Sequence, residues 1–574
     1  MRKVILLIVA LLLFCKEQSF AQITAVNQAS GLEQQRQLRE KDNAWRQRLE
    51  HGISEEKETP AIPAVESVDI EDQQGSEQVL ITSIIVEGNT ILSVKVINKI
   101  ILPYENRMLS MSDLQQVADL LTDAYRQRGY ITTRAVLSPQ QISNHIVIIK
   151  VVQGQMGQLE VRGNHYFKER VFARRVELKK GEAFNYNRLR NNLRDINEHP
   201  DRYVTTSLMP GKEPGQTDVL FDVKDRIPLH AAISYDNFAS KYIGSNEYTA
   251  TVTDNNLLGF DDMMSLQYQT TDRQSYQMIG ARYVVPVSNT TNMGFFLAHN
   301  DLKLQRELKD INARGKSKVY SVFVDQTLVN KPYMKIVADA GFDYKDVYSF
   351  ELNNEVSRDR LRVAKLGFNV DYTDSFYGRN IFSNEFYAGI PNIMGALYDK
   401  DSRSSRVGAG GQFTKDTIDL LRLQQMPLDT ALLIKTEAQL AGSVLPAVEQ
   451  YQLGGIANVR GFGPGEAVGD SGETLTTELS VPLYFIPRNT LAPFSKEKLY
   501  DATRIAAFYD LGHVNLRNPQ VGESKNRTLD SAGCGLRFNL PENFSSRLDA
   551  AWPISGKTAD SDGVHIWTQA TKEF

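Results

Sequence analysis

From residue 228 to residue 574 the chain reads as strand-length pieces of alternating polarity set between turn residues, with no linker dividing them. Leu266, Tyr268 and Thr270 alternate with Ser265, Gln267 and Gln269, and the same texture returns at 276–283, 321–325, 362–372 and 435–441. A period of two gives each strand one polar and one apolar face, and a bilayer accepts such strands only in a sheet closed on itself. Eight strands would leave ~43 residues apiece and sixteen ~22, and the second figure suits a membrane strand of about ten residues with its turn. A β-sandwich rarely runs so long undivided. The expected fold of 228–574 is therefore an all-β, sixteen-stranded antiparallel transmembrane β-barrel. A mean hydropathy of −0.34 excludes a bundle of membrane-spanning helices. Lys plus Arg number 65 against 69 Asp plus Glu, a net charge of −4, so the chain lacks the basic excess of a nucleic-acid binder.

The other end reads differently. Arg2 and Lys3 precede an apolar run over 4–14 and a small-x-small exit, Ser19-Phe20-Ala21. That pattern predicts a secretory signal peptide over 1–21, too short to span a membrane. Residues 22–50 favour a helix, polar except for a narrow stripe of Leu38, Trp45 and Leu49. Such a rod suits a wet channel or a bridge between domains better than a core. The segment 51–78 carries eight acids against Lys57 alone, which predicts an acidic, flexible linker. Cleavage after Ala21 would remove Cys15 and leave Cys534 alone, so no disulfide is expected.

Between linker and barrel lies a repeat. Ile84-Ile85-Val86-Glu87-Gly88-Asn89 returns as Leu159-Glu160-Val161-Arg162-Gly163-Asn164. Each copy opens with an apolar strand ended by Gly-Asn, a turn signal. Two helical segments follow, the second at 112–129 in one copy and 187–198 in the other, with Ser112-Asp113 and Asn185 as candidate caps. Two strands close each unit, at 132–137 and 145–152, then at 203–208 and 218–223. The reading is two α+β modules of order β-α-α-β-β, at 79–153 and 154–227, each a three-stranded sheet with two helices on one face.

Several short motifs in order along the chain resemble one known family. Gly129-Tyr130-Ile131-Thr132-Thr133-Arg134-Ala135, then Ser138-Pro139-Gln140-Gln141, are similar to the first POTRA domain of two-partner-secretion outer-membrane transporters. Leu193-Arg194-Asp195-Ile196 and 210–218 resemble the second POTRA domain. Gly259-Phe260-Asp261-Asp262 resembles the first barrel hairpin. Val459-Arg460-Gly461-Phe462 resembles the tip of the family's sixth extracellular loop, and Phe508-Tyr509-Asp510, running on to Gly512, its barrel-wall motif. The resemblance implies two periplasmic POTRA domains beneath a sixteen-stranded outer-membrane barrel, with the helix over 32–49 plugging the pore at rest. It also implies export, without ATP, of one large β-helical exoprotein of the haemolysin or adhesin type. The runner-up is a factor that inserts other barrels into the outer membrane.

The residues allow a physical reading of each motif. Gly461, Gly463 and Gly465 permit tight folding around Arg460, and a guanidinium taken out of water needs a partner. In the family the inner wall carrying Asp510 receives that arginine, and a bidentate pair would fix the loop's direction as well as its strength. Without the resemblance, a surface arginine and a turn aspartate would serve as well. Residues 160–195 hold ten Lys or Arg against five acids. That basic face, with Arg134, Gln140, Arg162, Arg174 and Arg175 as candidates, suggests contact with an acidic cargo segment or lipid headgroups. Cargo recruitment by strand addition to a sheet edge is the accompanying expectation. Eight scattered histidines and two cysteines give no metal-ligand or nucleophile spacing, so neither catalysis, metal nor cofactor is expected. The expected partners are the secreted exoprotein and outer-membrane lipid, not nucleic acid, and the protein is expected to be a monomer.

Overall fold

The computed structural model describes residues 78–574 apart from 143, 307–308, 494, 541–542 and 556–562. The expected signal peptide, the helix with Leu38, Trp45 and Leu49, and nearly all of the acidic linker lie outside the described residues. The chain forms two compact units, one running to Pro228 and taking in Leu258–Asp261, the other formed by the rest of the chain from Leu229 onward.

The first unit is two copies of one module. In the first copy Ser83–Glu87 lies parallel to Ile146–Val152, which pairs antiparallel with Arg134–Leu137. In the second, Gln155–Arg162 lies parallel to Gln216–Asp225, which pairs antiparallel with Arg202–Pro210. The last strand of each module is thus its centre, which leaves the first and middle strands as open edges. Helices Val94–Ile101 and Met111–Arg126 bury Ile97, Leu114, Val117, Leu121 and Tyr125 against the first sheet. Glu169–Arg175 and Tyr186–Asn197 bury Val171, Phe172, Leu189 and Ile196 in the second. The sequence offered Ser112-Asp113 as the first cap. Instead Ser110 caps, its hydroxyl accepting from the Asp113 amide while Asp113 accepts from the Ser110 amide, a complete capping box. Asn185 caps the other helix as expected. A small extra ribbon, Val79–Ile81 against Arg107–Leu109, had no signal in the sequence because each strand is only three residues long.

The repeated Gly-Asn has a single structural use. Gly88 and Gly163 both adopt φ +80°, and Asn89 and Asn164 each donate a side-chain hydrogen bond of 2.8 Å to the carbonyl three residues on. A Cβ on Gly88 would stand 2.7 Å from the Val151 carbonyl oxygen, and one on Gly163 would stand 2.5 Å from that of Val223. Both strain and collision therefore forbid a side chain.

The second unit is a closed antiparallel barrel of sixteen strands. Its first strand, Leu229–Asp236, pairs with the second, Glu247–Asp254, on one side and with the last, His565–Glu573, on the other. Closure is what makes the alternating pattern tenable, because it leaves no edge strand in the apolar phase. Small and polar side chains such as Ser321, Asp343, Ser383 and Glu437 face inward and are buried, while Val322, Leu366, Phe386 and Leu420 stand exposed on the outer wall. The loop between the eleventh strand, Thr430–Ala441, and the twelfth, Ser471–Pro482, is 442–470. It holds its own short ribbon, Tyr451–Leu453 with Ala467–Gly469.

Gly181 shares the positive φ (+85°) but has open space where a Cβ would stand. Gly181→Ala is therefore expected to cost about 1 kcal/mol from backbone strain alone, and Gly163→Ala distinctly more. Urea midpoints of the two variants check this ordering.

Candidate functional site

Three alternate residues of the thirteenth strand, Thr503–Asn515, share one face, since side chains i, i+2 and i+4 point the same way. They are Phe508, Asp510 and Gly512, and all three meet the loop 442–470. The Arg460 guanidinium carbon lies 3.3 Å from the Phe508 ring centroid. Arg460 Nε and Nη2 each donate to Asp510 at 2.8 Å, and the Arg460 backbone N–H donates to the same carboxylate at 3.1 Å. Gly512 supplies room, because a Cβ there would lie 2.7 Å from Leu453 and 2.9 Å from Val459. Ring, carboxylate and gap together form a mould for the loop tip.

Sequence reasoning paired Arg460 with Asp510 alone. The remaining donor, Nη1, binds Glu478 of the twelfth strand at 2.6 Å and lies 3.6 Å from Asp549 of the fifteenth, Phe544–Ser555. Arg537 and Arg547 pair with the same acids, making a network of three arginines and three carboxylates. Arg460 is 1% exposed and Asp510 and Asp549 are fully buried, so each charge depends on the others. The signal for Glu478 and Asp549 was present, since each sits at an inward position of its strand. An acid at such a position looks the same whether it faces water or an arginine.

The rest of the tip is packed as closely. Gly461 presses on the wall, where a Cβ would come 2.5 Å from Ser531 Cβ and 2.8 Å from the Pro553 nitrogen. Val459 and Phe462 are fully buried with Tyr451, Leu453, Val514 and Leu529. The Arg460 carbonyl accepts from Trp567 Nε1 at 2.7 Å, and Trp567 packs edge-on against Phe238. Gly454 and Gly455, both at φ +99°, let the backbone reverse so that the Gly455 amide reaches the Phe462 carbonyl.

A second anchor holds the other arm of the loop. Glu449 is 1% exposed and lies between Lys345 of the seventh strand, Met334–Glu351, at 2.8 Å, and Lys415 of the tenth, Phe413–Met426, at 2.7 Å. The loop therefore crosses the lumen, tied to strands seven and ten at one end and to strands twelve to fifteen at the other. Where it rejoins the wall, buried Asp470 accepts from Arg406 and from the Leu445 and Arg517 amides.

The candidate residues of the modules are dispersed. Arg134 is exposed on an open-edge strand, and Arg162, on the other module's open edge, binds Glu160. Gln140 occupies itself locally, accepting from the Ile148 amide and donating to the Ile148 carbonyl like a one-residue strand. Arg174 and Arg175 end one helix, but their environments differ, with Arg174 exposed and Arg175 drawn in to Asp261. Asp261 also accepts from Arg202 Nη2 at 3.0 Å. Burial opposes its ionisation, but the hydrogen bond and charge of Arg202, with Arg175 and His199, bring its carboxyl down to about 2.

The description "Haemolysin secretion/activation protein ShlB/FhaC/HecB" matches residues 215–538, and "POTRA domain, ShlB-type" matches 79–154. The chain belongs to that secretion family. It is 22% identical over 484 residues to the heme/hemopexin transporter protein HuxB of Haemophilus influenzae, covering 82% of each chain. It is 24% identical over 415 residues to the outer membrane transporter CdiB of Escherichia coli, covering 71% of this chain and 70% of that one. The solved structure of CdiB from Escherichia coli superposes with a TM-score of 0.73 at 21% identity, over 94% of this chain and 97% of the other. The barrel is thus that of an outer-membrane transporter, with its POTRA region in the periplasm.

Two outcomes follow from the geometry. Arg460→Ala leaves three carboxylates facing two arginines and is expected to abolish export while the barrel still inserts. Asp510→Ala should be milder, because Glu478 and Asp549 keep hold of the guanidinium. Secretion assays beside heat-modifiable gel mobility separate the two effects. In the first compact unit, which takes in Asp261, the depressed Asp261 carboxyl stabilises the fold above its unfolded pKa of 3.8 and loses that contribution as pH falls towards 2. The stability gap between the natural chain and Asp261→Asn is therefore expected to be about 2 kcal/mol at pH 7 and about half that at pH 3, read from urea midpoints.

Proposed function

We propose that this protein is the outer-membrane member of a two-partner system, taking one specific exoprotein from the periplasm and passing it through the barrel to the cell surface. The observation that carries this reading is the loop 442–470, folded into the lumen of a closed barrel and held there by Arg460. A porin has no need of a buried six-charge network on a loop tip, whereas an exporter needs its passage obstructed at rest and its loop correctly placed during transit. The open sheet edges support recruitment of unfolded cargo by main-chain hydrogen bonding, with 205–210, beyond the Asn197 side chain that caps Val204, as one such stretch. No nucleotide enters this scheme. Folding of the β-helical cargo outside the cell makes each step of emergence hard to reverse, and that supplies direction. Lipid surrounds the barrel, and one chain forms the whole pore.

HuxB and CdiB are named for heme/hemopexin transport and for outer-membrane transport. Neither cargo is carried over here, since the barrel and modules specify an unfolded chain rather than its final activity.

A deletion strain tests the proposal. Loss of a single large secreted protein, with the outer-membrane proteome unchanged, is the expected result. Broad depletion of outer-membrane barrels would instead identify an assembly factor.

A further inference from the structure

The outer wall of the barrel changes character abruptly across strands five to eight. These strands are Thr291–Lys303, Arg314–Lys331, Met334–Glu351 and Asn354–Thr373. Their register aligns outward-facing residues in rows. One row reads Phe295, Val322, Phe342 and Ala364, and the next, nearer the long-loop end, reads Leu297, Tyr320, Tyr344 and Arg362. The third row reads His299, Lys318, Asp346 and Arg360. Apolar gives way to aromatic and then to charged within two rows, each step about 7 Å along a strand. Longer loops mark the extracellular end of such barrels, so this boundary falls at the headgroup level of the outer leaflet.

A cavity of about 550 Å³ opens on this boundary. Phe295, Val322 and Phe342 line its apolar part, Lys318 and Asp346 its upper part, and Met394 of the loop after the ninth strand, Gly378–Gly389, forms its lip. That loop is fixed, because the Met394 carbonyl accepts from Arg362 Nε and Nη2. Asp346 is already committed to Arg362 at 2.9 Å and lies 3.7 Å from Arg360. Among the described residues no carboxylate pairs with Lys318, which is exposed, and Arg360 Nε is buried without a hydrogen-bond partner. Three cations against one acid leave the upper rim at +2.

We infer that this cavity binds a bis-phosphorylated, multiply acylated glycolipid of the lipid A class. Acyl chains lie on the Phe295, Val322 and Phe342 floor, continuous with the lipid-facing wall, and a phosphate meets Lys318, while Arg360, one strand beyond Asp346 in the same row, adds to the positive field. The +2 of the rim balances one phosphate monoester, which carries about −2 at neutral pH, and the apolar floor excludes a free anion as the natural occupant. The site lies on the outside of the barrel, apart from the loop tip in the lumen, so it stands or falls independently of the export reading.

Native mass spectrometry of the full chain in detergent, titrated with Kdo2-lipid A, its dephosphorylated form and phosphatidylglycerol, tests this. Lipid A is expected to bind the natural chain about tenfold more tightly than either other lipid, and Lys318→Glu should lose about that factor. Lys318→Gln should fall between, and Lys331→Gln, at the opposite end of the same strand, should bind as the natural chain does. Unchanged affinity in both Lys318 variants with heat-modifiable mobility intact, or phosphatidylglycerol binding as tightly as lipid A, would overturn the assignment.

Discussion

The interaction on which the rest depends is a single guanidinium held where water cannot reach it. Arg460 uses one face and all three guanidinium nitrogens, stacking on Phe508 and binding Asp510 and Glu478 beside Asp549. Charges buried this deeply are neutral in effect only when complete, and losing one partner costs roughly 3–5 kcal/mol. The network therefore works less as glue than as a register pin. It rejects every placement of the loop in which a carboxylate or the arginine is left alone. Around it the glycines act by what they lack, since Gly461 and Gly512 remove the methyl groups that would hold tip and wall apart.

Holding the loop at two places has a mechanical consequence. Glu449, clasped by Lys345 and Lys415, and Arg460, clasped by the acids, sit on different arcs of the wall. The segment between them acts as a strut across the lumen, and movement at one anchor loads the other. A chain passing through the barrel must be accommodated beside this strut or displace part of it. The lysine anchor has two hydrogen-bonded ion pairs and the arginine anchor a larger network, so the Glu449 end is the one better suited to yield.

Much of this was legible in the sequence because it rests on period and on short-range chemistry. The alternation in 228–574 implied a barrel, and strand length against total length implied sixteen strands. The spacing Phe508-x-Asp510-x-Gly512 put three residues of the candidate site on one face. The repeated Gly-Asn announced two modules because each copy needs the same positive φ and the same asparagine bond. What stayed hidden depends on pairing between distant strands. Glu478, Asp549, Lys345 and Lys415 carry no local mark, since inward polar residues are normal in a barrel and only closure decides which of them face one another. Gln140 and Arg175 show the converse, because their motifs stood out while their side chains are largely engaged by Ile148 and Asp261. The capping box of Ser110 was missed by two residues, as helix ends usually are when two candidate caps are neighbours.

The most direct measurement is the accessibility of the loop tip on living cells. Val459 is fully buried beside Arg460. A Val459→Cys chain carrying Cys534→Ser should therefore resist a membrane-impermeant maleimide added outside the cell, and adding Arg460→Ala should make the same cysteine react. Equal labelling of the two chains would show that the arginine does not hold the tip in the lumen, and would contradict the account.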